Sequence, residues 1–183
     1  MLDKGRFHRY NVTVDNIIKI NVAEIKKRLT GSESFQYDLA PSQLNLTPED
    51  ASLEGHILVE GEISNGGDVL LLTAREKFVC HGTCARCLKD VRLELTAQVE
   101  ERYYPEGTEG LEEDAFTYQF DMVDVTDALR ESLLLAIPAR VLCKPDCKGI
   151  CPVCGADRNV TECHCDTHSI DPRLEALKAL LEK

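Results

Sequence analysis

The sequence predicts an α+β protein: an antiparallel β-meander sheet with short helices, followed by a C-terminal cysteine-rich zinc-binding module. Three observations carry that expectation. Residues 57–99 alternate apolar and polar side chains with the two-residue period of strands. Helical spacing is confined to short stretches on either side of that region. Six of the nine cysteines stand between Cys143 and Cys165 in the pattern C-x3-C-x3-C-x2-C-x8-C-x-C, and two more form Cys84-Ala85-Arg86-Cys87.

In chain order, Val22 to Leu29 carries a short helical pattern ended by Gly31, and Ser34 to Leu39 alternates as an edge strand would. Asn65-Gly66-Gly67-Asp68 separates the run Ile57 to Ile63 from the run Val69 to Val79, a turn composition that favours a hairpin. Alternation is clearest in Val91, Leu93, Leu95, Ala97 and Val99, so a second hairpin turns at Cys84 to Cys87. That placement argues against a redox centre, because a thioredoxin-type C-x-x-C opens a helix after a strand, whereas this one joins two strands. Residues 105–114 are polar and acidic and predict a mobile loop. A helix is expected from Thr126 to Ala136, with Leu129, Leu133, Ala136 and Ile137 on one side and Pro138 closing it. Asp171-Pro172 predicts a last helix, Asp as cap and Pro at the first helical position. Leu174, Leu177, Leu180 and Leu181 form its apolar face, for packing on its own domain or on a partner. The expected organisation is a sheet domain over residues 1–138 and a zinc module with the C-terminal helix over 139–183.

At 183 residues the chain can bury a real core, so metal is needed to organise a part and not the whole. The longest apolar run, Leu133 to Ile137, is too short for a signal peptide or a membrane span, which places the chain in the cytoplasm. Thiols are kept reduced there, and an odd total of nine cysteines agrees with metal ligation over a disulfide scaffold. The formal net charge is −11, and each zinc held by four thiolates would add about −2 more. General nucleic-acid affinity is therefore not expected, and no DNA partner is. Arg75, Lys77, Arg86, Lys89 and Arg92 make a local cationic excess that is either a small patch or a solvated sheet face. No Walker loop, dinucleotide fingerprint, H-E-x-x-H or G-x-S-x-G occurs, and the zinc deaminase signature is missing. The expectation is a protein that is not an enzyme and has no small-molecule substrate.

The cysteine stretch cannot be one helix, because Pro145, Gly149 and Pro152 would break it. Cys151-Pro152-Val153-Cys154-Gly155 has the form of a zinc knuckle, two thiolates spaced for one ion and a glycine free to take the positive φ of the turn. Cys163 and Cys165 are its natural completion, with a bent backbone at His164; His164 or His168 remains an alternative ligand for one of these thiols. Cys84 and Cys87 then need partners, and Cys143 with Cys147 are the pair left over. Such a site would tie the hairpin tip to the start of the C-terminal module, closing a loop of more than fifty residues. Cys80 shares the alternation of Leu70, Leu72, Ala74 and Phe78 and reads as a small buried hydrophobe. His56 and His81 read as structural or exposed. Two zinc ions closed by eight thiolates leave no open coordination position, so both sites are expected to be structural.

These residues carry a resemblance. Cys84-Ala85-Arg86-Cys87-Leu88 after a meander, Pro138, Cys143, the run Cys147 to Gly155, Cys163-His164-Cys165 and Asp171-Pro172-Arg173 resemble the YceD family, the large ribosomal RNA subunit accumulation proteins. The resemblance covers nearly the whole chain in element order, with little from the first fifty residues. It implies a role in 23S rRNA accumulation and large-subunit biogenesis, hence a ribosomal protein or pre-ribosomal large-subunit particle as partner, and rRNA as a further candidate. Genes of the family often neighbour one for a small zinc-ribbon ribosomal protein, which implies an alternative role in zinc handling or redox sensing on that protein. Family members with histidines where Cys143 and Cys147 stand keep the upstream pair, which supports the pairing proposed above. Ile150 and Arg158 stand where leucine is common in the family, and neither is a candidate ligand.

Overall fold

The computed structural model describes residues 17–166. The expected helix at Asp171-Pro172 and the alternative ligand His168 lie outside the described residues. The chain divides into two compact units, Met1–Gly82 with Arg92–Ala139, and Thr83–Val91 with Arg140–Lys183. The tip of one hairpin thus belongs to the same unit as the cysteine-rich segment.

The fold is α+β with a mostly antiparallel sheet. Five strands run in the order β2-β3-β4-β5-β6: β2 (Ser32–Leu39), β3 (Leu53–Asn65), β4 (Leu70–Thr83), β5 (Asp90–Pro105) and β6 (Thr117–Tyr118). The three alternating runs of the sequence are β3, β4 and β5, each extending past its clearest periodicity. β2 is the expected edge strand and pairs antiparallel with β3, Phe35 opposite Gly61 and Leu39 opposite Ile57. Its inward residues Phe35, Tyr37 and Leu39 are buried, as are Ile57, Val59 and Ile63 of β3. β6 lies parallel to the end of β5, Tyr104 opposite Thr117. A separate two-stranded sheet pairs β1 (Lys19–Asn21) with β7 (Met122–Asp124), Ile20 opposite Val123.

Helix α2 (Thr126–Ala136) has the expected bounds, and its end is set by Pro138, which holds Ile137 in an extended conformation at φ −74° and ψ 120°. Ala128, Leu129 and Leu133 of α2 are buried in the same core as the sheet's inward residues. Helix α1 is shorter than the pattern Val22 to Leu29 predicts and covers only Ala23–Lys26. Its end is set from another part of the chain: the Asn65 side-chain amide donates to the carbonyls of Ile25 (3.3 Å), Lys26 (3.4 Å) and Arg28 (3.0 Å), taking acceptors a longer helix would have used. The acidic segment after β5 carries turns and neither helix nor strand up to β6.

One residue breaks the chemistry of the core. The inward positions of β4 are Leu70, Leu72, Ala74, Glu76, Phe78 and Cys80, and Glu76 is fully buried among them. Ser132 of α2 donates a hydrogen bond to its Oε2, while Oε1 is buried with no hydrogen-bond partner. Burial pushes this carboxyl up to about 7, and the Ser132 bond offsets only part of that.

Among the described residues no helix is long and apolar enough to cross a membrane.

Candidate metal centres

Two short turns present four of the eight clustered cysteines, and their backbones match bond for bond. In Cys84-Ala85-Arg86-Cys87 the Cys84 N–H donates to the Lys89 carbonyl at 2.8 Å, and the Leu88 N–H donates to the Cys84 carbonyl at 2.9 Å. In Cys151-Pro152-Val153-Cys154 the Cys151 N–H donates to the Ala156 carbonyl at 2.8 Å, and the Gly155 N–H to the Cys151 carbonyl at 2.9 Å. The residue after the second cysteine is left-handed in both, Leu88 at φ 61° and Gly155 at φ 73°. Glycine is the expected residue there, so Gly155 is legible in the sequence and Leu88 is not. Each turn folds its two side chains towards one side and points backbone N–H groups at the first sulfur.

The other four cysteines come from the loops beside them. The Ala85 N–H donates to the Val141 carbonyl at 2.8 Å, bringing the 141–147 segment alongside the first turn. Arg86 locks it there: its Nη1 donates to the Cys147 carbonyl at 2.8 Å, and its own carbonyl accepts the Ile150 N–H at 3.0 Å. Gly149, at φ 74°, sits so close that a Cβ would lie 2.8 Å from the Arg86 carbonyl oxygen. Gly149→Ala therefore combines a left-handed backbone penalty with a clash. It is expected to destabilise this unit by about 2 kcal/mol or more, read as faster metal loss to a chelator in the full chain.

Two groups of four sulfurs result: Cys84, Cys87, Cys143 and Cys147, and Cys151, Cys154, Cys163 and Cys165, each with all ligand atoms within 4.8 Å of one another. Cys84 and Cys147 sulfurs are 3.9 Å apart, and those of Cys87 and Cys143 3.5 Å. A disulfide needs about 2.05 Å. Tetrahedral coordination at a metal–sulfur distance of about 2.3 Å separates sulfurs by about 3.8 Å, close to the 3.9 Å and 3.5 Å of these two pairs. All nine cysteines are free thiols. The first group is the drier one: Cys84, Cys87 and Cys147 are buried with Val91 and Leu142 packed against them, and Cys143 is exposed. In the second, Cys151 is buried, Cys163 and Cys165 are half-buried and Cys154 is exposed.

The electrostatics suit a cation. Backbone N–H groups of Cys143 and Cys87 pull the Cys84 thiol down to about 6, and those of Cys154 and Val153 do the same for Cys151, also to about 6. The neighbours respond in the opposite sense. Cys143 is pushed up to about 12, chiefly by the Cys87 thiol, and Cys165 to about 12, chiefly by Cys154. Crowded thiols cannot all ionise by themselves, and a bound dication removes that conflict. Both tetrads can hold metal ions.

The remaining candidates fall outside these groups. Cys80 is buried in β4, and its thiol is pushed up by burial. His56 Nδ1 lies 2.7 Å from Asp38, and His81 Nε2 lies 2.7 Å from Glu54. His164 is exposed, and the four cysteine sulfurs complete their group without it. The cationic excess is largely spent within the molecule: Arg86 holds the Cys147 carbonyl, Lys89 pairs with Asp157 at 2.7 Å, and Arg92 pairs with Glu54 at 2.8 Å and Glu94 at 2.6 Å. Arg75 and Lys77 project from the exposed face of β4.

A family described as "Large ribosomal RNA subunit accumulation protein YceD" matches residues 72–181, more than half of the chain and all eight clustered cysteines. The chain belongs to the YceD family. Among proteins similar to this YceD chain, one of Bacillus subtilis (strain 168), named "Uncharacterized protein YlbN", is 31% identical over 102 residues, 55% of this chain and 59% of its own length. "Uncharacterized protein Rv2926c" of Mycobacterium tuberculosis (strain H37Rv) is 34% identical over 104 residues, 55% of this chain and 50% of its own length. The chain thus spans about half the length of the curated relatives it matches. No solved structure matches it.

Proposed function

We propose that this protein is a non-catalytic factor for large-subunit ribosome assembly that supports accumulation of 23S rRNA in the cytoplasm. Its eight clustered thiolates hold two structural zinc ions. The family's description supports the biological role, and the pairing of eight sulfurs into two groups of four supports the non-catalytic one. Four thiolates complete a tetrahedral zinc shell, so no position is left for water or substrate. The partner in this reading is a ribosomal protein or a pre-ribosomal large-subunit particle, and a net charge of −11 suits a basic protein client better than bare RNA. Depletion in cells should lower 23S rRNA and free large subunits, and a plasmid copy with Cys84→Ser should fail to restore them. Unchanged 23S rRNA and large-subunit particles after depletion would rule the role out.

One observation favours a second reading. Each tetrad has an exposed cysteine, Cys143 in one and Cys154 in the other, which offers an incoming thiol a route to the metal shell. Zinc handling for a ribosomal zinc-ribbon protein would use that access. Transfer of zinc to an apo ribbon within seconds supports it; zinc that stays put in the presence of the ribbon excludes it.

A further inference from the structure

The segment between Cys154 and Cys163 belongs by sequence to the second group of sulfurs, yet its side chains serve the first. Asn159 Nδ2 lies 3.4 Å from the Cys147 sulfur. The amide is fixed from three sides: its Oδ1 accepts the Lys148 N–H at 2.9 Å, its Nδ2 donates to Asp157 Oδ1 at 2.8 Å, and its backbone N–H donates to the same oxygen at 2.9 Å. Asp157 is anchored in turn by Lys89, at 2.7 Å, from the turn that carries Cys84 and Cys87. Backbone bonds run the same way: Ile150 bridges to Asp157, and the Arg158 N–H donates to the Gly149 carbonyl at 2.9 Å.

An N–H aimed at a metal-bound sulfur fixes its position and takes up part of its negative charge, and losing such a partner typically costs 10–100-fold in metal affinity. A metal in the second group closes the chain between Cys154 and Cys163, and that closed segment is what presents Asn159. We propose that Asn159 is a positioning residue for Cys147, held by Asp157 and Lys89, and that through it the second tetrad controls how firmly the first retains its metal. The inference rests on the reading above that both tetrads hold metal.

The test uses the full-length chain loaded with zinc, with release timed in excess chromogenic chelator, and a cobalt(II)-loaded sample for absorption spectra. Asn159→Ala should keep two ions but release one of them about 10–100-fold faster. That ion should be the one missing from Cys147→Ser, and the thiolate-to-cobalt charge-transfer band of the first site should shift. Cys163→Ser, which opens the second site, should speed release from the first by a similar factor. Asp157→Asn, which keeps the shape but removes the charge that anchors to Lys89, should fall between Asn159→Ala and wild type. Wild-type release from Asn159→Ala, or equal acceleration at both sites with an unshifted band, would overturn the inference while leaving the zinc reading intact. A chain that takes up no metal would overturn both.

Discussion

Stripping metal from the full chain with a strong chelator under reducing conditions is expected to unfold the unit made of Thr83–Val91 and the segment from Arg140 onward, and to leave the sheet folded. The reason lies in what that unit is made of. Among the described residues its buried cluster consists of Cys84, Cys87 and Cys147, with Val91 and Leu142 beside them, and residues 140 to 166 contain neither helix nor strand. So little apolar surface cannot offset the entropy of ordering a loop, and folding and metal binding become one event. The other unit has a separate core that includes Ile20, Leu39, Ile57, Leu72, Val99 and Leu133. Amide hydrogen exchange should therefore lose all protection at Ala85, Ile150, Cys151 and Gly155, whose N–H groups are bonded only within the metal-held loops, while β3 stays protected. Uniform loss of protection in both units, or none in either, would contradict this account.

Glu76→Gln is expected to remove most of the pH dependence of the sheet domain's stability and to stabilise it above pH 7. The carboxyl is raised by burial to about 7 in the folded protein against an ordinary 4.5. Between those values the folded chain keeps the proton and the unfolded chain has lost it. The folded state thus binds more protons, and stability falls as pH rises through this window, being full below 4.5 and lowest above 7. A shift of that size corresponds to on the order of 3 kcal/mol. Glutamine keeps the volume and can still accept the Ser132 hydrogen bond without carrying a charge. Urea denaturation from pH 5 to pH 8 should show a falling midpoint for the native sequence and a flat one for the variant. Parallel slopes would mean that Glu76 is solvated in solution.

Much of the sheet was legible because its strands are long enough to show their period: the alternation around Ile57, Leu72 and Val99 marks β3, β4 and β5 without help from the rest of the chain. The end of α2 followed from Pro138. Strands β1, β6 and β7 have three residues or fewer, too short for any period, and exist only because a distant partner pairs with them. The end of α1 was hidden for a similar reason, since the Asn65 side chain that consumes its carbonyls is nearly forty residues away. Glu76 stood in plain view within the apolar alternation of β4, yet a charge in such a run reads as an interruption until Ser132 is seen beside it.

At the candidate metal centres the grouping of sulfurs followed from counting pairs and finding Cys84 with Cys87 in a hairpin turn. Leu88 was hidden because leucine carries no signal for a left-handed backbone; only its match to Gly155 in the other turn exposes it. The chain Lys89, Asp157, Asn159 and Cys147 joins residues from opposite ends of the motif, and no local pattern announces it.

We have proposed that these eight thiols form two separate four-thiolate zinc sites. Metal analysis of the purified full chain and of single Cys→Ser variants at each of the eight positions tests it directly. Two zinc ions are expected in the native protein and one in every variant, with Cys84, Cys87, Cys143 and Cys147 losing one ion and Cys151, Cys154, Cys163 and Cys165 losing the other. A single ion in the native protein, or one ion lost by substitutions drawn from both groups, would contradict it.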